Sequence, residues 1–329
     1  MKGHEIRIRF SPAVFIASFL FVSVSFISIG YLSMRIFTLV QRNTGKKPSA
    51  IIPFQKDTLS RPESDLPGFY EPKANTVNEI TPEWLGKKVE HHINSDGLRD
   101  NREYEKDKPE NVFRIAVMGD SFTYGLFVGD DDPYPKQLEV LANTCGADKK
   151  IEVINFGVPG YDLEMSAYRY DFRIKDYTPD LIVWYLIEND FDEYNSLVQD
   201  LWVNIKEMLI AENIPYERFA PETAEILESV ITGRLGDSFI PDHQIGKLRE
   251  WAKGVDIPFV IVTDSKLPKR YHDAVAGVIA EYPNGKYLDT IRYDNAFSEG
   301  HPSPASHAII AKSIISYLRK ESLLPCSLR

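Results

Sequence analysis

Arg114-Ile-Ala-Val-Met-Gly-Asp-Ser-Phe-Thr-Tyr-Gly125 is the stretch whose reading decides the fold. From Arg114 to Met118 it is mainly apolar and does not alternate, the pattern of a short strand covered on both faces. Gly119 permits a sharp turn. Ser121 then stands just past the carboxyl end of the strand, where open parallel sheets bind their ligands. A serine in that place is a candidate nucleophile. Asp and Ser are also common caps of turns and helices, so Gly119-Asp120-Ser121 by itself reads as a cap, and the rest of the chain has to decide.

Four more strand-like runs follow, at Ile151–Phe156, Leu181–Leu186, Pro258–Thr263 and Lys286–Ile291. Amphipathic stretches separate them: Pro135–Asn143, Leu163–Asp176, Tyr194 to about Ile210, Asp242–Lys253, Lys269–Glu281 and Pro304–Leu318. Pro135 and Pro304 sit where the first turn of a helix tolerates proline. Such alternation predicts a mostly parallel five-stranded sheet with helices on both faces. Residues 194–236 exceed a simple crossover and are broken by Pro215 and Pro221. They read as an insertion, a lid or wall near the site.

Upstream, Ala13 to Met34 carries no charge and is long enough to cross a bilayer as a helix. Lys2, Arg7 and Arg9 precede it, and Arg35, Arg42, Lys46 and Lys47 follow, so the flanking charges orient it only weakly. Its length exceeds the apolar core of a cleavable signal peptide. Residues 1–35 are therefore expected to be a flank and an uncleaved signal anchor, with the large C-terminal part outside the cytoplasm. Residues 36–75, punctuated by Pro48, Pro53, Pro62, Pro67 and Pro72, read as a tether. Residues 76–111 read as a polar lead-in packed on the main domain, 112–329. Within the lead-in a short hairpin is expected around Val89–Leu98, with Ser95-Asp96-Gly97 as its turn. His91 and His92 are adjacent, so on a strand they point to opposite faces and do not make joint metal ligands.

The formal net charge of −10, with no basic patch, argues against a nucleic-acid partner. Cys145 and Cys326 belong to no metal-spaced cluster. They read as two unrelated thiols, with a disulfide left open and no compartment implied. Neither a G-x-G-x-x-G after the first strand nor a Walker-type Gly-Lys-Ser/Thr is present, which removes the usual nucleotide sites.

A serine nucleophile needs a base, oxyanion donors and a group that orients the base. After the second strand comes Asn155-Phe-Gly-Val-Pro-Gly-Tyr161, where Gly157 and Gly160 allow backbone N–H groups to face a ligand. After the third comes Glu188-Asn189-Asp190, where Asn189 has an amide to offer. After the fifth comes Ser298-Glu299-Gly-His301-Pro302, in a Gly/Pro-rich loop. His307, inside the following helix, reads as structural. Each piece alone is a plain turn or cap. Together they occur in order, each just beyond a strand-like run. Phe122, Tyr124, Phe127 and Tyr161 lie near these motifs, either as a substrate wall or as core.

Over roughly residues 112–320 this pattern resembles the SGNH, or GDSL-type, serine hydrolases. The blocks that carry the resemblance are Gly119-Asp-Ser121-Phe, Asn155-x-Gly-x-x-Gly160, Asn189-Asp190 and His301-Pro302. The resemblance implies a flavodoxin-like three-layer α/β/α sandwich. It also implies Ser121 as nucleophile, supported by Asp120, and His301 as base. The oxyanion hole would be the Ser121 and Gly160 N–H groups with the Asn189 side chain. No metal or organic cofactor is implied. Two positions depart from the family. Ser298 stands where an aspartate is usual, three residues before the histidine, leaving Glu299 as the nearest carboxylate, Asp294 as a substitute, a dyad without an acid, or an impaired enzyme. Ile187 stands where many relatives have glycine. The expected function is a membrane-anchored serine esterase or acyltransferase acting on an ester of an acylated glycan, peptidoglycan or lipid. The alternative is a non-catalytic envelope binding or assembly protein that retains the fold.

Overall fold

The computed structural model describes residues 59–60, 69–194, 232–294 and 296–326. The apolar segment 13–34, most of the tether and most of the insertion lie outside the described residues. Among the described residues no helix is long and apolar enough to cross a membrane.

The described chain starts with two small antiparallel pairs. β1 (Leu59–Ser60) pairs with β2 (Glu71–Pro72), and β3 (Thr76–Ile80) pairs with β4 (Val89–Ile93). The expected hairpin within 89–98 is corrected here, because the partner of 89–93 lies upstream. Downstream the chain does turn at Ser95-Asp96-Gly97. Asn94 Oδ1 accepts from Asp96 N (3.0 Å) and Leu98 N (2.9 Å), and this side-chain turn leaves only an isolated Ile93–Arg99 bridge beyond it. The end of the Pro-rich stretch is part of the fold, with Phe69, Tyr70 and Glu71 buried. Glu71 accepts from Arg169 (2.6 Å) and Arg173 (2.5 Å), which fastens this segment to a helix of the main domain.

The quoted stretch forms β5 (Val112–Met118), followed by β6 (Lys150–Asn155), β7 (Leu181–Leu186), β8 (Phe259–Asp264) and β9 (Gly285–Ile291). They make one sheet, ordered β6-β5-β7-β8-β9, with every pairing parallel. Counted within the sheet this is 2-1-3-4-5, the order of flavodoxin-like doubly wound folds, with the switch point beside β5. The helices are α1 (Ser121–Tyr124), α2 (Tyr134–Ala142), α3 (Leu163–Phe172), α4 (Asn189–Asp192), α5 (Phe239–Gly254), α6 (Lys269–Ile279) and α7 (Pro304–Lys320).

Successive strand residues point to opposite faces. Ile115, Val117, Val183 and Val260 therefore meet Leu138 of α2 and Ile310 and Ile314 of α7. Ala116, Met118, Ile182 and Trp184 meet Leu163 of α3, Leu248 of α5 and Val275 of α6. Both faces are covered, which is why these strands are apolar without alternation. Each fully buried Val, Ile or Leu stabilises the sandwich by about 1.5–3 kcal/mol. Caps set the helix starts: Asp162 accepts from Met165 N (2.8 Å), Ser303 accepts from Ser306 N (3.3 Å), and Pro135 and Pro304 fill first turns.

Cys145 and Cys326 form a disulfide, with Cα atoms 5.5 Å apart, which corrects the reading of two unrelated thiols. The cause is tertiary. Helices α2 and α7 lie against the same sheet face and bring together residues 181 positions apart in sequence.

Candidate active site

β5 ends at Met118, and the chain turns through Gly119 at φ 145°. A Cβ there would lie 2.2 Å from Thr123 Oγ1 and 2.8 Å from Tyr185 O, so only glycine fits. Asp120 caps α1, its Oδ1 accepting from Phe122 N at 2.9 Å. Asp120 is the cap, and Ser121 is the first residue of the helical turn.

His301 Nε2 lies 2.8 Å from Ser121 Oγ. On the other side of the ring, Glu299 Oε2 lies 2.5 Å from Nδ1, and Glu299 Oε1 accepts from His301 N at 3.3 Å. A tight loop makes this reach feasible: Phe297 N donates to His301 O (2.8 Å), Gly300 N donates to Phe297 O (2.9 Å), and Ala296 bridges to Pro302. With a carboxylate on Nδ1, that nitrogen carries the ring proton, and Nε2 is the acceptor for the Ser121 hydroxyl. Ser298 and Asp294 are both exposed. The imidazole is flanked by Phe122 (5.0 Å between rings) and, edge-on, by Phe127 (4.9 Å).

The turn after β6 packs beside Ser121. Asn155 Nδ2 donates to Thr123 O (3.0 Å) while its Oδ1 accepts from Gly157 N (2.9 Å), and Val158 N donates to Gly119 O (3.1 Å). Gly160 has φ 77°, and a Cβ on it would come within 2.7 Å of Tyr70 Oη. Tyr70 in turn donates to Pro159 O at 2.6 Å, so the segment before the main domain buttresses this turn.

Asn189 opens α4 and lines a cavity of about 460 Å³ with Phe122, Ile187, Asp264, Leu267 and Gly300. Its Nδ2 makes a long 3.5 Å bond to Glu193 Oε2, and its Oδ1 is buried without a partner. Ile187 donates its N–H to Asp190 Oδ2 at 2.7 Å. Burial drives the Asp190 carboxyl well above the ordinary range, and the charge of Asp120 adds to that. Burial also raises Asp120, against the N–H of Phe122 and the charge of His301. Ser121 Oγ stands 3.1 Å from Asp120 Oδ2.

Ser121, His301, Glu299 and Asp120 are thus in direct contact, and Asn189 lines the adjoining cavity. Tyr124, Phe127 and Tyr161 are core, while Phe122 faces both His301 and the cavity. His91 and His92 do diverge: His91 is buried with its ring edge-on to Tyr124, and His92 Nδ1 pairs with Asp130 Oδ2 at 2.5 Å. His307 is buried, and its Nδ1 accepts from Tyr134 N (3.2 Å), a structural bond. Among the described residues no group of three or more His, Cys, Asp or Glu is arranged to hold a metal ion.

Sequence reading missed Arg99. Its buried guanidinium donates to the carbonyls of Tyr124 (2.5 Å), Gly125 and Val128 (2.5 Å). A cation at the C-terminal end of α1 suits the orphan carbonyls of that turn. The only local signal was a lone arginine after Ser95-Asp-Gly-Leu98, which any solvated loop also shows.

No family model and no curated protein matches the chain. Several solved structures are similar to it. A lipolytic protein of the G-D-S-L family from Desulfitobacterium hafniense is 16% identical, over 62% of this chain and 98% of its own, with a TM-score of 0.39. A psychrotrophic esterase from Pseudoalteromonas is 12% identical, over 65% and 100%, with a TM-score of 0.42. An acetylxylan esterase from Geobacillus stearothermophilus is 17% identical, over 66% and 97%, with a TM-score of 0.42.

Proposed function

We propose that this protein is a serine esterase or acyltransferase working through an acyl-serine intermediate. The observation that carries this reading is the unbroken contact from Glu299 through His301 to Ser121, at 2.5 Å and 2.8 Å. In the reaction, His301 Nε2 takes the Ser121 proton as Oγ attacks the ester carbonyl. The Glu299 carboxylate stabilises the imidazolium that forms. The negative charge on the carbonyl oxygen is met by the N–H groups of Ser121 and Gly160 and the Asn189 amide. His301 then hands its proton to the leaving alcohol. Water or a second alcohol, deprotonated by the same nitrogen, releases the acyl group and restores Ser121.

Residues 13–34 are the membrane anchor in this proposal and hold the domain outside the cytoplasm. The Cys145–Cys326 disulfide supports that placement, since such bonds persist in oxidising compartments. The substrate is then an ester of the envelope, such as an O-acetyl group on a glycan. The test is fluorophosphonate labelling of the full-length protein in detergent, together with hydrolysis of a small acetate ester. Ser121→Ala should abolish both. A wild-type protein that neither labels nor hydrolyses, or a variant that keeps full activity, would overturn the proposal.

A further inference from the structure

Trp84 lies on a part of the chain that the hydrolytic residues do not use. It is the middle residue of a 3-10 turn, Glu83–Leu85, in the link from β3 to β4. Pro82 precedes the turn, and Gly86, left-handed at φ 65°, ends it. Leu85 N and Gly86 N both donate to Pro82 O, at 3.0 and 3.3 Å. The indole is therefore carried on a short, stiff support.

It is 40% exposed, whereas Phe127 beneath it is 3% exposed. The indole meets Phe127 edge-on at 5.0 Å and Phe297 at 5.3 Å. Phe127 meets His301 edge-on at 4.9 Å, and Phe297 N donates to the His301 carbonyl. An aromatic wall thus runs from the imidazole to an indole open to water. Core packing accounts for the two phenylalanines. At its outer end the largest ring of the wall is 40% exposed, so its face is available for contact.

The side of the site on which this wall stands sets what it touches. His301 must pass its proton to the leaving oxygen, so the alcohol half of the ester lies along the imidazole. The carbonyl oxygen is then turned to the proposed oxyanion donors, the N–H groups of Ser121 and Gly160 and the Asn189 amide. We infer that Trp84 is the stacking platform for the alcohol half of the substrate, and that this half carries a pyranose ring. A sugar ring offers a flat C–H face to the indole while its hydroxyls stay in water, which suits a platform open on one side. A flexible acyl chain is held better in an enclosed apolar slot.

This inference rests on the esterase reading, so its test separates the two. Full-length wild type, Trp84→Ala and Trp84→Tyr are compared on three probes: ethyl acetate, 4-nitrophenyl octanoate, and a mixture of O-acetylated cello-, xylo- and chito-oligosaccharides. Loss of a stacking contact should raise KM for the oligosaccharides about tenfold in Trp84→Ala with little change in kcat. Any small kcat loss from loosening Phe127 beside the imidazole should appear equally on ethyl acetate, the KM rise should be confined to the oligosaccharides, and Trp84→Tyr should recover most of the sugar effect. Unchanged oligosaccharide kinetics in Trp84→Ala overturns the inference. So does a loss confined to the octanoate, which would make the wall an acyl site, and so does a wild type that cleaves ethyl acetate but no sugar ester. A wild type that cleaves none of the probes overturns the esterase reading itself, and the platform with it.

Discussion

Glu299 grips His301 twice from within one loop, Oε2 at 2.5 Å from Nδ1 and Oε1 accepting the backbone N–H at 3.3 Å. A carboxylate two residues before the histidine thereby reaches the nitrogen that an aspartate three residues before it serves in the family this chain resembles. Glu299→Ala is expected to lower kcat by roughly 10²–10⁴, the range for a lost orienting carboxylate, with KM for a small ester little changed. Steady-state kinetics checks this. A kcat close to wild type would move the orienting role to another group.

Arg99 supplies the donors for the carbonyls of Tyr124, Gly125 and Val128, in the loop that seats Phe127 against His301. Arg99→Met takes a donor from each carbonyl, leaving Gly125 O to Val128 N (3.2 Å) and Tyr124 O to a long 3.5 Å bond from Asn155 Nδ2, and should lower stability by about 1–3 kcal/mol. In the protein that remains folded, kcat should fall as Phe127 loosens beside the imidazole. Arg99→Lys keeps the charge but not the planar fork, and should fall between the two. Urea unfolding with parallel kinetics is the measurement. A fully stable Arg99→Met would show that water serves those carbonyls as well.

Acid should act in two stages. Burial, helped by the charge of Arg99, lowers His91 from 6.5 to about 2, and burial first, then Arg99 and His301, lowers His307 from 6.5 to about 3. The unfolded chain takes up these protons below 6.5 while the folded one refuses them. Stability is thus fully present above 6.5 and drains as pH falls below it. Burial raises Glu71, but Arg169 and Arg173 outweigh it and hold the carboxyl below its usual 4.5. Its contribution is present above 4.5 and is lost as pH falls through the folded value, a second decline. Urea midpoints measured across this range report both. A midpoint unchanged between about pH 7.5 and about pH 5 would contradict the first stage.

The disulfide closes a loop of 181 positions. Reduction, or Cys145→Ser, should cost about 2–5 kcal/mol and lower Tm. Catalysis at room temperature should be little affected: Cys145 precedes the amino end of β6, and Ser121 follows the carboxyl end of β5. Thermal unfolding with and without reductant, beside ester kinetics, decides it. An unchanged Tm would mean that α2 and α7 hold together without the link.

The sheet was legible because its signal is local. Apolar runs at 114–118, 151–156 and 181–186 become strands at 112–118, 150–155 and 181–186, and the run at 286–291 becomes 285–291. Pro135 and Pro304 open helices as expected. What failed was partner choice. Val89–Ile93 carries strand character but no mark of whether its mate lies before or after it, and the mate is Thr76–Ile80. Likewise Phe69 to Glu71 looked like tether because prolines surround it. Its burial depends on Arg169, Arg173 and Tyr161, which lie about a hundred positions away.

The sequence by itself determined the order of the five parallel strands, and the loops on which Ser121, Gly160, Asn189 and His301 fall. Periodicity and turn chemistry act over a few residues and are written in neighbouring side chains. Only the tertiary structure decided that Glu299, not Ser298 or Asp294, touches His301. It alone joined Cys145 to Cys326, set Arg99 under the turn that carries Ser121, and stood Trp84 at the outer end of the aromatic wall that starts at the imidazole. Those contacts come from closing long loops onto one another, and their partners leave no mark in the residues beside them.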